Sequence, residues 1–290
     1  MDVVKQVTRM QAIARRLHAT GQRIGLVPTA GNLHEGHLSL IRRAREMCHV
    51  VIVSIFSPAA WPPAEKASHG KETHPLESAP FLSRDVEVVA PSGVDYIFAP
   101  SAAEIFPEGA STMVVVKGLS EKLHGGLHPE HVIQATTFLT ILFHLIRPHV
   151  VFFGWKDGYQ VALVRRMIRD LRFDVEVCIC PILREASGLA ISADNERLSA
   201  REREAAAVLY QALEKVQVLV AAGERDAVRL IRAMREVIES QPLARIESLS
   251  IVDSETLEPL VTLGERPALV AVVAHIGRVR LSDNILVALA

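Results

Sequence analysis

The sequence predicts an α/β fold built on a parallel sheet, followed by a smaller α+β domain. Three observations carry that expectation. A strand-like run, a helical stretch and a second strand-like run follow one another within residues 24–56. The runs IGLVP, VVIVSIF and VVFFG are continuous rather than alternating, as expected of strands covered on both faces. Near residue 185 the texture changes to long helical stretches and then strand-like ones. The expected domains are therefore residues 1–184 and 185–290.

Taken in order, Val3, Val7, Met10, Ile13 and Leu17 recur at helical spacing and predict an amphipathic helix ending at Gly21. IGLVP (24–28) is a buried strand stopped by a proline, and TAGN (29–32) is turn chemistry. Residues 33–48 then place Leu33, Leu40, Ile41 and Ala44 at helical spacing, and VVIVSIF (50–56) returns to a strand. A βαβ unit of this kind puts functional groups at the carboxyl ends of its strands. Residues 57–83, rich in Pro, Ala, Ser and charge, read as a long surface loop. VDYIFAP (94–100) is a strand, 131–146 an apolar helix, VVFFG (150–154) a strand, 159–171 a helix and 174–182 a strand. Helices are expected over 199–223 and 225–240, and strands over 248–253, 268–277 and 279–287.

Composition narrows the function classes. Of the 290 residues, 49% are hydrophobic and 22% charged, which is ordinary for a globular chain. Lys plus Arg number 32 against 33 for Asp plus Glu, so bulk charge draws the chain to neither nucleic acid nor a membrane surface. Cys48, Cys178 and Cys180 contain no CxxC pair, so neither a disulfide framework nor a zinc cluster is expected. The longest apolar stretch, 136–146, is about half a membrane span and is interrupted by His144. The N-terminus is charged and lacks a secretory apolar region. A cytoplasmic protein without a membrane partner is the expectation.

The chemistry concentrates in Pro28-Thr29-Ala30-Gly31-Asn32-Leu33-His34-Glu35-Gly36-His37. A strand ends, a turn follows, and two histidines three apart open a helix. That spacing puts both side chains on one face of the first turn. Exposed amides and the positive dipole end favour phosphate, and Gly36 leaves the backbone open to close approach by a nucleotide. Two imidazoles beside bound phosphate can donate hydrogen bonds to charge that builds on an attacked phosphorus. A zinc protease helix needs HExxH with histidines four apart, so this spacing does not suit that metal site. HxGH after a strand is the signature of the nucleotidyltransferases that include class I aminoacyl-tRNA synthetases.

Two further segments extend the pattern: Phe153-Gly154-Trp155-Lys156-Asp157-Gly158-Tyr159-Gln160 and Arg184-Glu185-Ala186-Ser187-Gly188-Leu189-Ala190-Ile191-Ser192. With residues 27–41 they resemble the pantothenate synthetase (pantoate–β-alanine ligase) family, from about residue 20 to the closing RLSDN. The resemblance implies a Rossmann-like nucleotidyltransferase domain and a smaller C-terminal domain, in a homodimer. It also implies condensation of pantoate with ATP to a pantoyl adenylate, which β-alanine attacks to release AMP, with Mg²⁺ on the phosphates. Carried onto this chain, it implies that His34 and His37 contact the phosphates, with His37 the proton donor. Pro28, Thr29, Ala30, Gly31 and Gly36 would line the nucleotide site. Gly154, Lys156 and Asp157 would hold ribose and phosphate, Lys156 neutralising charge as the adenylate forms. Gln160 would bind the acid, Leu183 would offer backbone to adenine, and Ile191 and Ser192 would open the loop equivalent to the synthetase KMSKS segment.

Four departures fall where the family does chemistry. The family's pantoate-binding glutamine aligns with Trp61, whose indole has one donor and no acceptor. Paired aspartates fall at Ser83 and Arg84, leaving Asp85. The acidic residue before a Gly-Gly pair is His124, and the family's Met-Ser-Ser-Arg-Asn reads Ile191-Ser192-Ala193-Asp194-Asn195. Position 194 thus turns from cation to anion beside a polyanion, and Arg84, His124 and Arg197 are the candidates to rebuild the lost charge. Three readings follow: the family's ligase; the same chemistry on another acid or amine selected by Trp61; and a silent nucleotide-binding paralogue.

Overall fold

A computed structural model of the chain describes residues 1–56, 79–119 and 129–289. Its contacts fall into two compact units. One holds the described residues up to 119 with 129–153 and 167–180; the other holds 154–166 and 181–289.

The first unit is organised by a six-stranded sheet in the order β1-β4-β3-β2-β5-β6. Its strands are β1 (Asp2–Val4), β2 (Ile24–Thr29), β3 (Val50–Ile55), β4 (Tyr96–Phe98), β5 (Val150–Gly154) and β6 (Glu176–Cys180). The helices are α1 (Val7–Ala19), α2 (Glu35–Met47), α3 (Ala79–Val89), α4 (Ala102–Ile105), α5 (Pro129–Ile146) and α6 (Gly158–Asp170), the last divided between the units. β2 pairs in parallel with β3 on one side and β5 on the other, as βαβ connections require. From β2 the chain first builds outward through β3 and β4, then returns to add β5 and β6 on the opposite side. The switch point therefore lies beside β2, and α/β sheets bind ligands outside the carboxyl ends of strands at such a point. Ile24, Leu26, Val27, Val51, Ile52, Val53, Val150, Val151 and Phe152 are fully buried, in line with the continuous apolar runs.

Two histidines fix the opposite, amino end of β2. His49 and His149 stand immediately before β3 and β5, each followed by Val-Val. Their Nδ1 atoms accept hydrogen bonds from the consecutive amides of Arg23 and Ile24, both at 3.0 Å. His18 on α1 lies against His149 with ring centroids 5.0 Å apart, and its Nε2 bonds the Arg147 carbonyl at 2.9 Å.

The second unit pairs three helices, α7 (Ala200–Ala206), α8 (Val208–Ala221) and α9 (Ala227–Glu239), with the antiparallel sheet β7 (Ala244–Asp253), β8 (Ala268–Ile276) and β9 (Val279–Val287). Leu209, Leu213 and Val216 on α8 and Leu230, Met234 and Ile238 on α9 share a core with Val270, Val272 and Ala274 of β8. Asp226 caps α9 by accepting from the amides of Val228 and Arg229.

The α/β and α+β expectations hold, with local corrections. Val3 lies in β1, paired in parallel with β4, so the first helix begins only at Val7. Two adjacent β-branched valines suit an edge strand, and long-range pairing overrides the helical spacing. Helix α3 starts at Ala79, inside the stretch expected to be loop; residues 57–78 of that stretch lie outside the described residues. The single helix expected over 199–223 is divided at Ala207 into α7 and α8.

Burial, the neighbouring His18 and Arg23 together hold the His149 pKa below its ordinary value. Its imidazole is neutral in the fold and takes up a proton more readily on unfolding, so stability falls as pH drops through about 6.5. Replacing His149 with Asn keeps an acceptor and removes the titration. Thermal melts at a series of pH values are expected to show a shallower acid loss in His149→Asn than in the parent.

Candidate active site

The turn between β2 and α2 is built from residues with unusual backbone needs. Pro28 has no amide for the ladder, and beside it the Thr29 hydroxyl donates to the Ser54 carbonyl at 2.8 Å. Gly31 and Asn32 both have positive φ, 91° and 53°, which a glycine and an asparagine tolerate best. The reversal turns Leu33 into the core, where it is 2% exposed, and leaves Ala30 exposed. Asp85, on α3, holds this turn: its carboxylate accepts from the amides of Asn32 at 2.9 Å and Leu33 at 2.7 Å. Arg84, its neighbour, donates to the Asn32 side-chain oxygen at 3.1 Å.

The two histidines that follow cap α2 reciprocally. His34 is the N-cap, and its Nδ1 accepts from the Gly36 amide at 3.1 Å. The His34 amide in turn donates to Nδ1 of His37 at 3.2 Å. An imidazole stands here where Ser/Thr and Glu/Gln stand in an ordinary capping box. With Nδ1 an acceptor in each ring, the hydrogen-bond network assigns the proton of each neutral imidazole to Nε2. Burial, reinforced by His34 with ring centroids 4.1 Å away, pushes the His37 pKa down to about 3. At neutral pH His37 is therefore a fixed Nε2–H donor without formal charge. Such a group can stabilise charge developing on a phosphoryl oxygen, but it has no surplus proton to deliver as an acid.

The second unit carries the other expected residues that the structure describes. Gly154 ends β5, and Lys156 and Asp157 form a single 3-10 turn leading into α6, which carries Gln160. Asn284 of β9 donates to the Lys156 carbonyl at 2.6 Å. Gly158 is required by close packing, since a Cβ there would lie 2.7 Å from Leu269 and 3.1 Å from the Asn284 side-chain oxygen. Leu183 begins a hairpin in which its carbonyl accepts from the Ile191 amide at 2.9 Å. That hairpin is fastened by Arg184, which forms a bidentate pair with buried Asp283 at 2.6 and 3.0 Å and lies over the Tyr210 ring. Ser192 then accepts from the Asp194 amide at 3.3 Å, opening the 3-10 turn Ala193–Arg197.

Lys156, Ser192, Asp194, Asn195, Arg280 and Asp283 line one small concavity of about 50 Å³. The carboxylate at position 194 is paired with Arg197 at 3.3 Å, both side chains about half exposed or more. The structure thus gathers Pro28–His37 in one unit and Lys156, Ile191 and Ser192 with their supports in the other. Trp61 and His124 lie outside the described residues. Asp283 and Asn284, which support the second group, were legible only as the end of the RLSDN motif. Asp85 was singled out only as the aspartate left of the family's pair; its spacing from Leu82 and Val89, on one helical face, was the signal of its buried role.

Comparison with known proteins gives one consistent result. The family model described as pantoate-beta-alanine ligase matches residues 2–286. A pantothenate synthetase of Koribacter versatilis is 45% identical over 286 residues, covering 98% of this chain and 95% of that protein. One from Heliobacterium modesticaldum is 43% identical over 288 residues, covering 99% of each. The crystal structure of pantothenate synthetase from Thermus thermophilus superposes with a TM-score of 0.82 at 36% identity, covering 98% of this chain and 99% of that one. The Francisella tularensis pantoate-beta-alanine ligase, crystallised with beta-gamma ATP and beta-alanine, gives 0.73 at 26% identity, covering 99% and 97%.

Removing the Asp85 carboxylate leaves two turn amides without their acceptor. Asp85→Ala is expected to lose about 2–4 kcal/mol of stability in urea unfolding, and Asp85→Asn, which keeps one acceptor oxygen, distinctly less. Equal stability of Asp85→Ala and the parent would show that the turn is held by other means.

Proposed function

The chain belongs to the pantoate–β-alanine ligase family, and from that premise we propose that it joins pantoate to β-alanine through a pantoyl adenylate. A pantoate carboxylate oxygen attacks the α-phosphorus of ATP, and the bond to the β-phosphate oxygen breaks, releasing diphosphate. The β-alanine amine then attacks the acyl carbon, the acyl–phosphate bond breaks, AMP leaves, and a proton passes to solvent. The observation that carries this reading is the reciprocal cap of α2, which fixes two Nε2–H donors at a helix N-terminus after a β-strand. Donors held in place before the reaction are what an in-line displacement at phosphorus demands.

In this reading Pro28, Thr29, Ala30, Gly31 and Gly36 shape the nucleotide's surroundings, and His34 and His37 donate to its phosphates. Gly154, Lys156 and Asp157 act on ribose and phosphate, Lys156 supplying charge as diphosphate leaves. Leu183, Ile191 and Ser192 contact the nucleotide, and Gln160 binds pantoate. The His37 contribution is a hydrogen bond rather than a transferred proton. Mg²⁺ supplies charge neutralisation on the triphosphate when bound, and such an ion asks for only one or two protein carboxylates. Asp194, on the concavity shared with Lys156 and Ser192, fits that need. No three His, Cys, Asp or Glu side chains gather into a metal cage among the described residues, which suits an ion carried in on the nucleotide.

A homodimer in the cytoplasm is part of the same proposal. Met113 and Val115 are about half exposed on a segment whose Val114 is pinned by Thr136 and Thr137, and such an apolar edge suits a second copy. No described helix is long and apolar enough to cross a membrane.

A second reading keeps the mechanism and exchanges pantoate for a bulkier, more apolar acid; the indole at position 61 favours it. Pantoate-dependent exchange of labelled diphosphate into ATP tests both. The parent is expected to exchange with pantoate, and His34→Ala and His37→Ala to lose about 10²-fold or more while staying folded. Trp61→Gln is expected to raise kcat/KM for pantoate relative to bulkier hydroxy acids. Exchange with bulkier acids but not with pantoate would select the second reading; no exchange with any acid would contradict both.

A further inference from the structure

The buried threonines of α5 and its one glutamine are treated differently by the fold. Thr136 donates to the Val114 carbonyl at 2.6 Å, Thr137 accepts from the Val114 amide at 2.9 Å, and Thr140 donates to the Thr136 carbonyl at 2.8 Å. Gln134 is withdrawn from solvent as well, 9% exposed, yet its Oε1 accepts from no group among the described residues. Folding thus pays the desolvation of an amide oxygen that an apolar side chain of the same size would avoid.

The place of Gln134 in the fold suits a ligand. Helix α5 ends at Ile146 and the chain enters β5 at Val150, so its last turn lies at the amino edge of the parallel sheet and its first turns lie towards the carboxyl edge. Phe138 marks the level of that edge. Its ring stacks on Phe56 with centroids 4.4 Å apart, and the Phe56 amide donates to the Thr29 carbonyl at the end of β2. One helical turn beyond Phe138, on the same face of α5 and about 5.4 Å further along its axis, stands Gln134. It therefore lies past the ends of β2 and β3, in the unit that holds the His34–His37 turn, at the edge where α/β sheets bind ligands.

An unpaired acceptor selects what it can bind. Carboxylate and phosphate oxygens are themselves acceptors, so neither satisfies Oε1. A hydroxyl does, and the Phe56–Phe138 stack below offers apolar surface to a branched carbon skeleton. Resting on the ligase reading above, we propose that Gln134 determines acid specificity: its Oε1 accepts a hydrogen bond from a hydroxyl of the acid substrate. An acid without that hydroxyl leaves the buried oxygen unpaired and is rejected for that reason.

The test compares pantoate with tert-butylacetate, which keeps the branched skeleton and lacks the hydroxyls. Diphosphate exchange gives the KM for pantoate, inhibition of that exchange gives the Ki of tert-butylacetate, and the full reaction gives the KM values for ATP and β-alanine. Gln134→Met keeps length and volume and removes the acceptor. It is expected to raise the pantoate KM about tenfold or more and to leave the Ki of tert-butylacetate within about twofold. The KM values for ATP and β-alanine are expected to stay parental, and the melting temperature to equal or exceed the parent's. Both acids are read on one preparation, so their ratio does not depend on how much of it is folded. A parental pantoate KM, an equal weakening of both acids, or a rise confined to ATP or β-alanine overturns the assignment and leaves the ligase reading standing. A parent that exchanges with no acid overturns both.

Discussion

The cap that His34 and His37 make together, with Nδ1 of His34 accepting from the Gly36 amide and Nδ1 of His37 from the His34 amide, is the constraint on which the chemistry of the first unit depends. Helix N-termini leave amides without partners, and most proteins satisfy them with hydroxyls or carboxylates that have no further role. Here two imidazoles do that work with Nδ1. Each ring is thereby fixed in orientation, and its proton is assigned to Nε2. One pair of bonds starts α2, selects the tautomer and sets the direction of two donors. Burial of His37 then keeps it uncharged. The cap also relies on the turn before it, where Asp85 replaces solvent for two amides and Gly31 and Asn32 adopt positive φ.

The second unit reaches a comparable result with different groups. Consecutive residues of β9 hold two segments: Asp283 fastens the hairpin through Arg184, and Asn284 fastens the Lys156 turn through its carbonyl. The Arg184–Asp283 pair is buried, bidentate and stacked on Tyr210, so its geometry is far more restrictive than that of exposed pairs such as Arg197–Asp194. Its role is to fix the course of the chain through Leu183–Ser192. Gly158 contributes by absence, since any side chain would collide with Leu269.

Much of this was legible in the sequence, and the reasons differ by element. Continuous runs of β-branched and aromatic residues marked β2, β3 and β5 because strands covered on both faces need apolar side chains at every position. HxGH after a strand-like run marked the start of α2, although β2 continues past Pro28 to Thr29 and α2 begins at Glu35 with His34 as its cap rather than at Leu33. What escaped was long-range. Val3 follows helical spacing yet pairs with Ile97 across 94 residues, and no local pattern reports such a partner. Asp85 reaches back 52 and 53 residues to the turn, and Asp283 reaches 99 to Arg184. Both stand among other polar residues, Arg84 and Glu87 near Asp85 and Ser282 and Asn284 beside Asp283, so no local pattern sets them apart as buried or names their partners. The capping role of the histidines escaped because an imidazole is an unusual cap, and the choice of nitrogen only emerges from the fold.

The most direct test of this account is the protonation state of the two imidazoles, read by nitrogen NMR of histidine-labelled protein. The reciprocal cap requires Nδ1 without a proton and Nε2 with one in both rings at neutral pH. For His37 it requires that state to persist as pH falls through about 6.5, where an unperturbed histidine titrates. A proton on Nδ1 of either ring, or titration of His37 near 6.5, would contradict the cap and the account of the site that rests on it.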